Sequence, residues 1–319
     1  MSVKHLVVGG NGFLGRHLVR ALLSRNEFVR VADAASANWF NDTQVDNHII
    51  DLSLASADDF DALIQNIDTI HHCAWSTIPE SANLDPSADL KVNLGITLGL
   101  LDALRRRKIG RIIFCSSGGT VYGPLLKTPV PEDHPLDPIT AYGVSKLTAE
   151  KYMQLYRTLY GVDTRVARVA NPYGPGQNPA KPQGVIGMAV HRALLQESIE
   201  IWGTGDVVRD FIHISDVVSA LVSIADLPQS PDTKMPLFNF GSGVGCSVNA
   251  ILSEIGRSMR TSLKIQRIAG RAFDVPASVL DITKAQLILG WSPAVSLQAG
   301  IAQMIEDLQQ DRSRGFSSR

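Results

Sequence analysis

Cysteine is scarce in this 319-residue chain: Cys73, Cys115 and Cys246 are odd in number, far apart and set among apolar or small residues. Such a set supplies neither a disulfide framework nor a metal-ligand spacing, so no metal is expected and the thiols should be reduced, as in a cytosolic protein. An excess of charge is missing too. Thirty Lys plus Arg against 31 Asp plus Glu leave a net charge of −1, which provides no field to draw the chain to nucleic acid or an anionic membrane. No apolar run reaches the roughly 18 residues of a spanning helix. Leu6-Val7-Val8, ahead of the first glycines, is too short for a signal-peptide core. The expectation is a soluble, cytoplasmic protein, without internal repeats and with a polar tail at 311–319.

What the chain does have is enough apolar content, 45%, to bury one large core or two of ordinary size. Val3 to Val8 is a short apolar run ending directly in Gly9-Gly10-Asn11-Gly12-Phe13-Leu14-Gly15, after which Leu14, Leu18 and Leu22 recur every four residues. Strand, glycine turn and amphipathic helix follow in the order that a dinucleotide site needs. Gly9 permits the tight turn, Gly12 lets a pyrophosphate approach the backbone, and Gly15 lets the helix pack on the strand, while the helix N-terminus offers N–H groups to the phosphates. The spacing is GxxGxxG, one residue wider than the usual fingerprint.

A second strand, Phe28 to Ala32, ends in Asp33, where an acid can accept hydrogen bonds from ribose hydroxyls. Ala34 and Ala35 follow it; an arginine there would be needed for a 2′-phosphate, so NAD is favoured over NADP. His48 to Leu52 reads as a third strand leading into a loop with Asp51 and Leu52 at the adenine, and Thr69 to Cys73 as a fourth. Helical stretches are expected near 55–66 and 87–108, with Arg105-Arg106-Arg107-Lys108 as a solvated helix end. Alternating strands and helices with few hairpin signals argue for a parallel, doubly wound α/β sheet. Its right-handed crossovers place the loops after the strands at one edge.

Arg111 to Cys115 is a fifth strand and runs into Ser116-Ser117-Gly118-Gly119-Thr120-Val121-Tyr122-Gly123. About 25 residues on, Tyr142 and Lys146 stand four apart in a helical stretch, one above the other on one face. A phenol titrates near pH ~10, and an ammonium within about 6 Å should favour the phenolate and produce a base of useful strength. By itself such a pair is common on exposed helices, and Ser-Ser-Gly-Gly is often only a turn. Together they look like a Ser-Tyr-Lys triad.

These motifs resemble the extended short-chain dehydrogenase/reductase family, in its nucleotide-sugar epimerase and dehydratase branch, and in particular UDP-hexose 4-epimerases. The second half agrees: Arg168-Val-Ala-Asn171-Pro-Tyr-Gly, Ile201-Trp-Gly-Thr-Gly-Asp through Arg209 to Asp216, and Gly270-Arg271 through Asp274 to Ser278 resemble the family's substrate-binding segments. The resemblance implies a Rossmann-like domain over 1–170, to which segments near 210–242 return, and a smaller, interleaved substrate-binding lobe, mainly 171–319. It implies NAD held by Gly9, Asn11, Gly12, Phe13, Leu14, Gly15, Asp33, Asp51, Leu52 and Lys146. It implies catalysis by Tyr142, Lys146 and Ser117, with the sugar nucleotide held by Asn171, Arg209, Arg271 and Ser278. The two arginines suit a diphosphate independently, since a guanidinium fork meets phosphate oxygens in pairs.

Departures from the family pattern sharpen the expectation. Alignment on Thr-Val-Tyr-Gly puts Gly118 where the catalytic hydroxyl usually stands, so Ser117 is the candidate and Ser116 its rival. Gly119 and Thr120 occupy the positions of the dehydratases' Asp-Glu pair, which argues against dehydration. Ser278 is small where a bulky side chain would restrict the pocket to plain hexoses, which leaves room for a 2-acetamido group. The activity expected is 4-epimerisation of a UDP-hexose or N-acetylhexosamine through a 4-keto intermediate. A 4-keto-sugar reductase or dehydrogenase with the same triad is the alternative, and a non-catalytic dinucleotide sensor a more distant one. By analogy the chain should form a homodimer through a four-helix bundle.

Overall fold

In the computed structural model, residues 2–36, 39–40, 45–108, 110–178, 184–229, 233–270 and 275–313 are described. The first part runs β1 (Lys4–Val8), α1 (Phe13–Ser24), β2 (Phe28–Asp33), β3 (Val45–Ile49), α2 (Ala57–Leu63), β4 (Thr69–His72), α3 (Pro79–Leu84), α4 (Pro86–Arg107), β5 (Arg111–Ser117), α5 (Ala141–Tyr160) and β6 (Asp163–Val169). There follow β7 (Asn171–Tyr173), α6 (Val185–Leu194), β8 (Ser198–Trp202), β9 (Val208–His213), α7 (Ile214–Asp226) and β10 (Leu237–Phe240). The chain closes with β11 (Gly245–Ser247), α8 (Val248–Met259), β12 (Lys264–Ile268), β13 (Ala277–Ser278), α9 (Thr283–Leu289) and α10 (Leu297–Ser313).

Seven strands form one sheet in the order β10-β6-β5-β4-β1-β2-β3. From β1 the chain winds outward through β2 and β3, then returns to β4 on the other side, and the β3–β2–β1–β4–β5 pairs are parallel. This is the doubly wound sheet expected. Its order reverses between β1 and β4, so the loops after those two strands part and leave a crevice for ligand at their carboxyl ends. β1, β4 and β5 are buried on both faces, as strands covered by crossover helices must be, although β4 is Thr-Ile-His-His rather than an apolar run. The third strand begins earlier than the sequence suggests, at Val45 rather than His48. As the edge strand it pairs only with β2, from Val29↔Val45 to Asp33↔Ile49, and its half-exposed side chains carry little apolar pattern.

The chain divides into two compact units. The first comprises Met1–Val121, Leu136–Arg168 and Val218–Phe238, and the second Tyr122–Pro135, Val169–Val217 and Asn239–Arg319. The first has a core in which Leu6, Val8, Ile70, Ile112 and Phe114 of the strands meet Leu100, Leu104, Ala149 and Met153 of α4 and α5. The basic run ending α4 is a capped helix end: Lys108 adopts the left-handed conformation, Arg105 pairs with Asp102 and Arg106 with Asp61. In the second unit β9 is flanked by β11, β13 and β7, and β8 pairs with β12. Its separate core gathers Ile186, Val190, Ile199, Ile251, Ile255, Ile301 and Met304.

Candidate active site

The glycine turn joins β1 to α1 at the reversal of strand order. Gly9 has φ +82°, a left-handed conformation that side chains disfavour, and its N–H bonds Ala32 O at 2.8 Å. A Cβ on Gly15 would overlap the carbonyl oxygen of Gly9, so the helix can press onto the turn only without one. No side chain caps α1 and its first turn holds no acid, so its first N–H groups and the positive end of its dipole are left for an anion. Asp33 steadies the turn: its Oδ2 accepts from Asn11 N at 2.9 Å and its Oδ1 from Ala35 N at 3.0 Å. Asn11 Nδ2 bonds Ala35 O at 2.7 Å, while its buried Oδ1 has no partner. An uncapped helix start, a cradle that a Cβ would fill and an orphaned buried acceptor together fit a dinucleotide. Asp51 is exposed and accepts from the amide and hydroxyl of Ser53, which hold its carboxyl below the usual range; Leu52 beside it is buried.

Tyr142 and Lys146 lie on the first turns of α5, whose start is capped by Thr140 Oγ1 accepting from Gly143 N at 3.1 Å. Gly143 has a second role. A Cβ there would stand 2.6 Å from Thr120 O, so a glycine next to the tyrosine lets α5 approach the loop that follows β5. Lys146 is buried, and its Nζ donates to Cys115 O at 2.7 Å, at the carboxyl end of β5. It also sits 3.8 Å from the centre of the Trp75 ring and 5.7 Å from that of Tyr142. Trp75 stands edge-on to the phenol at 6.3 Å and against Phe114 at 5.5 Å. The Cys73 and Cys115 sulfurs, 42 residues apart in the chain, meet at 3.5 Å on the ends of β4 and β5.

The electrostatics differ from the sequence-based expectation. Burial, with the Asp89 carboxylate and the Cys115 thiol adding to it, pushes the Tyr142 phenol above its ordinary value. Burial likewise brings Lys146 down to about 7, against the opposing pull of Cys115, Cys73, Glu150 and Asp89. Burial dominates both groups, so the phenol is raised rather than lowered. His72 is held neutral, down to about 3, by burial and then by the Lys146 charge; its Nε2 lies 3.0 Å from Thr97 Oγ1.

The two serines at the end of β5 have different surroundings. Ser116 is buried and donates to Glu150 Oε1 at 2.5 Å. Glu150, one turn beyond Lys146 on α5, also takes Arg168 Nε at 3.0 Å and Nη2 at 2.6 Å. Ser117 is half-buried; its carbonyl accepts from Thr120 and Val121, and no side-chain bond of its hydroxyl is found among the described residues. The second unit holds the other expected residues. Asn171 Nδ2 donates to Asp210 O at 2.9 Å, and Arg209 Nη1 donates to the carbonyls of Val208 and Val275 at 2.9 and 2.8 Å. Ser278 is buried and lies directly beside Arg209 in the parallel β9–β13 register. Arg271 lies outside the described residues. Trp75 was not legible as a site residue, since it meets Tyr142 and Lys146 from a loop distant in sequence; Glu150, at i+4 from Lys146, carried a helical-spacing signal.

The family model "NAD dependent epimerase/dehydratase family" matches residues 5–240. A UDP-glucose 4-epimerase of Mycolicibacterium smegmatis is 31% identical over 310 residues, covering 95% of this chain and 98% of its own. The crystal structure of the Thermotoga maritima UDP-glucose 4-epimerase with UDP-glucose superposes with a TM-score of 0.91 at 29% identity, covering 97% of this chain and 100% of the other. That of the Thermus thermophilus UDP-glucose 4-epimerase in complex with NAD gives 0.87 at 27% identity, covering 96% and 99%.

Proposed function

The chain belongs to the NAD-dependent epimerase/dehydratase family, and we propose that it inverts C4 of a UDP-hexose through a transient 4-keto sugar. The observation that carries this reading is the Tyr142–Lys146 pair on α5 at the carboxyl ends of β4 and β5, beside a glycine turn fitted to a dinucleotide. Gly9, Gly12 and Gly15 with the start of α1 would hold the pyrophosphate, and Asp33 the adenosine ribose, with Asp51 and Leu52 near the adenine. Bound NAD supplies the acceptor, and later the donor, of the C4 hydride.

Tyr142 takes the proton of the C4 hydroxyl as the C4–H bond breaks, and returns it when that bond is re-formed on the other face. Tyr142 must therefore start as the phenolate, a form that its burial disfavours, and the protonated Lys146 is the cation that would stabilise it before the proton is taken and again once it is returned. Ser117, whose hydroxyl is not committed to Glu150, donates to the reacting oxygen. Asn171, Arg209 and Arg271 are assigned to the sugar nucleotide and its diphosphate. Ser278, a small side chain, supports acceptance of N-acetylhexosamines as well as plain hexoses.

We also infer a homodimer through α4 and α5, because Leu90, Val144, Leu155 and Leu159 leave apolar side chains exposed on these two packed helices. A reducing, cytoplasmic compartment suits the three free thiols. Purified protein incubated with UDP-glucose or UDP-N-acetylglucosamine, without added reductant, should form the galacto sugars by NMR. Tyr142→Phe should slow this by roughly 10²-fold or more while keeping bound cofactor. Release of mainly NADP on denaturation, or equal turnover in the variant, would sink the proposal.

A further inference from the structure

Among the described residues no carboxylate pairs with Lys146, although it is buried, at 4% exposure, near the start of α5. Glu150, one turn further along the helix, is taken up by Arg168 and Ser116. The hydrogen bond found for Nζ goes to a carbonyl, Cys115 O, at 2.7 Å. Aromatic rings supply its other close surroundings: the ammonium stands 3.8 Å from the centre of the Trp75 ring, 4.7 Å from that of Phe114 and 5.7 Å from that of Tyr142. All three lie within the roughly 6 Å at which a ring face attracts a cation, and indole attracts most strongly of the three.

Trp75 is anchored from both sides. Cys73 N and Ala74 N reach Val8 O at 3.0 and 2.9 Å, so the chain leaves β4 still tied to β1. A Cβ on Gly9 would lie 2.7 Å from Ala74 N, so this loop presses against the glycine turn. On the other side Ser76 N bonds Asn93 Oδ1 at 2.8 Å, and Thr77 Oγ1 donates to Asp89 Oδ1. The side chain between these anchors is a poor choice for filling space alone. Its Nε1 is buried with no partner, whereas a buried indole N–H ordinarily finds one. Phenylalanine or leucine would pack against Phe114 and His72 without stranding a donor. What indole adds is a more electron-rich ring face, and Lys146 Nζ stands over it.

We propose that Trp75 is a positioning residue for Lys146: its ring face takes the place of a counter-ion and holds the charged ammonium beside Tyr142. The proposal rests on the reading above, in which the protonated lysine stabilises the phenolate. A buried ammonium with a single carbonyl for a partner is otherwise poorly compensated, and burial already draws Lys146 down to about 7. The other groups packed around it do not supply the missing contact. At the end of β4, His72 is neutral and Cys73 is held as a thiol by its bond to Cys115 and by burial. Cys115 of β5 gives its carbonyl. Asp89 of α4 and Glu150 of α5 favour the charged form through space, but neither forms an ion pair with it among the described residues. Asp89 accepts from Thr77 and Asn93, and Glu150 is matched by Arg168. At short range the indole face remains.

The test changes the charge of the ring face and keeps the shape of the ring. Trp75→Leu would remove the face but also admit water to the ammonium, so mono-, di- and trifluorotryptophan are incorporated at position 75 of the full-length chain instead. Each fluorine draws electron density from the face while the indole still fills its place. The direct readout is the titration of the Lys146 side chain, followed by NMR of protein isotope-labelled at lysine Cε, with the resonance assigned by Lys146→Met. Its midpoint should fall stepwise along the series, by roughly one pH unit in all, a change of about 10-fold in proton affinity. An unchanged or rising midpoint overturns the proposal, because a ring that only fills space is indifferent to fluorine. Turnover gives a second reading. Activity that needs the charged lysine is lost as pH rises through its midpoint, so the alkaline limb of kcat/KM for UDP-glucose should move to lower pH along the same series. Rates that fall equally at every pH overturn the proposal. If UDP-glucose is not epimerised the epimerase reading fails, and the titration still decides for or against Trp75.

Discussion

Replacing Arg168 by methionine would leave the Glu150 carboxylate buried without its cation, and the structure allows the consequence to be sized. Both side chains are almost fully buried, at 2% and 3% exposure, and they meet through Nε and Nη2. Breaking a buried ion pair from one side costs about 3–5 kcal/mol, most of it the penalty of the charge left behind. At about 2–4 °C per kcal/mol for a large domain, Arg168→Met should lower the melting temperature by roughly 6–20 °C. Replacing both partners, as Glu150→Leu with Arg168→Met, removes the stranded charge and should recover most of that loss, although Ser116 then loses its acceptor. The assay is a thermal melt followed by circular dichroism at pH 7.5, with NAD in constant excess because bound ligand raises the melting temperature. A loss below about 1 kcal/mol in the single variant, or a double variant no more stable than the single, would refute the reasoning.

The serine assignment is tested by turnover: Ser117→Ala should reduce kcat more than Ser116→Ala, and the reverse order would show that the hydroxyl bound to Glu150 is the active one. Lys146 links stability to pH. Its folded value of about 7 lies below its ordinary 10.5, so the unfolded chain holds the extra proton between those values and stability rises with pH across that window. Lys146→Met should therefore stabilise the protein by about 1–4 kcal/mol at pH 7 or below while abolishing turnover. Denaturant titrations at pH 6.5 and 10.5 check it; a gain that does not shrink at the higher pH would contradict the assigned burial.

The parts of the site that could be read in the sequence are those set by local rules. The turn from Gly9 to Gly15 follows from backbone geometry, the Tyr142–Lys146 pairing from helical periodicity, and β1, β2 and β5 from short runs rich in apolar residues bounded by turns. The edge strand β3 was misplaced by three residues at its start because one-sided pairing asks little of its side chains. The state of the Tyr-Lys pair was misjudged for a different reason. Spacing shows that the ammonium can reach the phenol, but burial, which dominates both groups, comes from Trp75, Phe114 and the strand ends around them. The Cys73–Cys115 contact, the Glu150–Arg168 pair and the Thr77–Asp89–Asn93 network likewise depend on how strands and helices pack, which periodicity does not record.

The central claim is that one hydride leaves C4 and returns to the same carbon on the opposite face while Tyr142 holds the proton. UDP-glucose carrying deuterium at C4, incubated with the purified enzyme and no added nucleotide, tests it most directly. The account predicts UDP-galactose with the deuterium retained at C4 and none in the solvent. Loss of the label to solvent, or product formation only with stoichiometric consumption of added NADH, would contradict it.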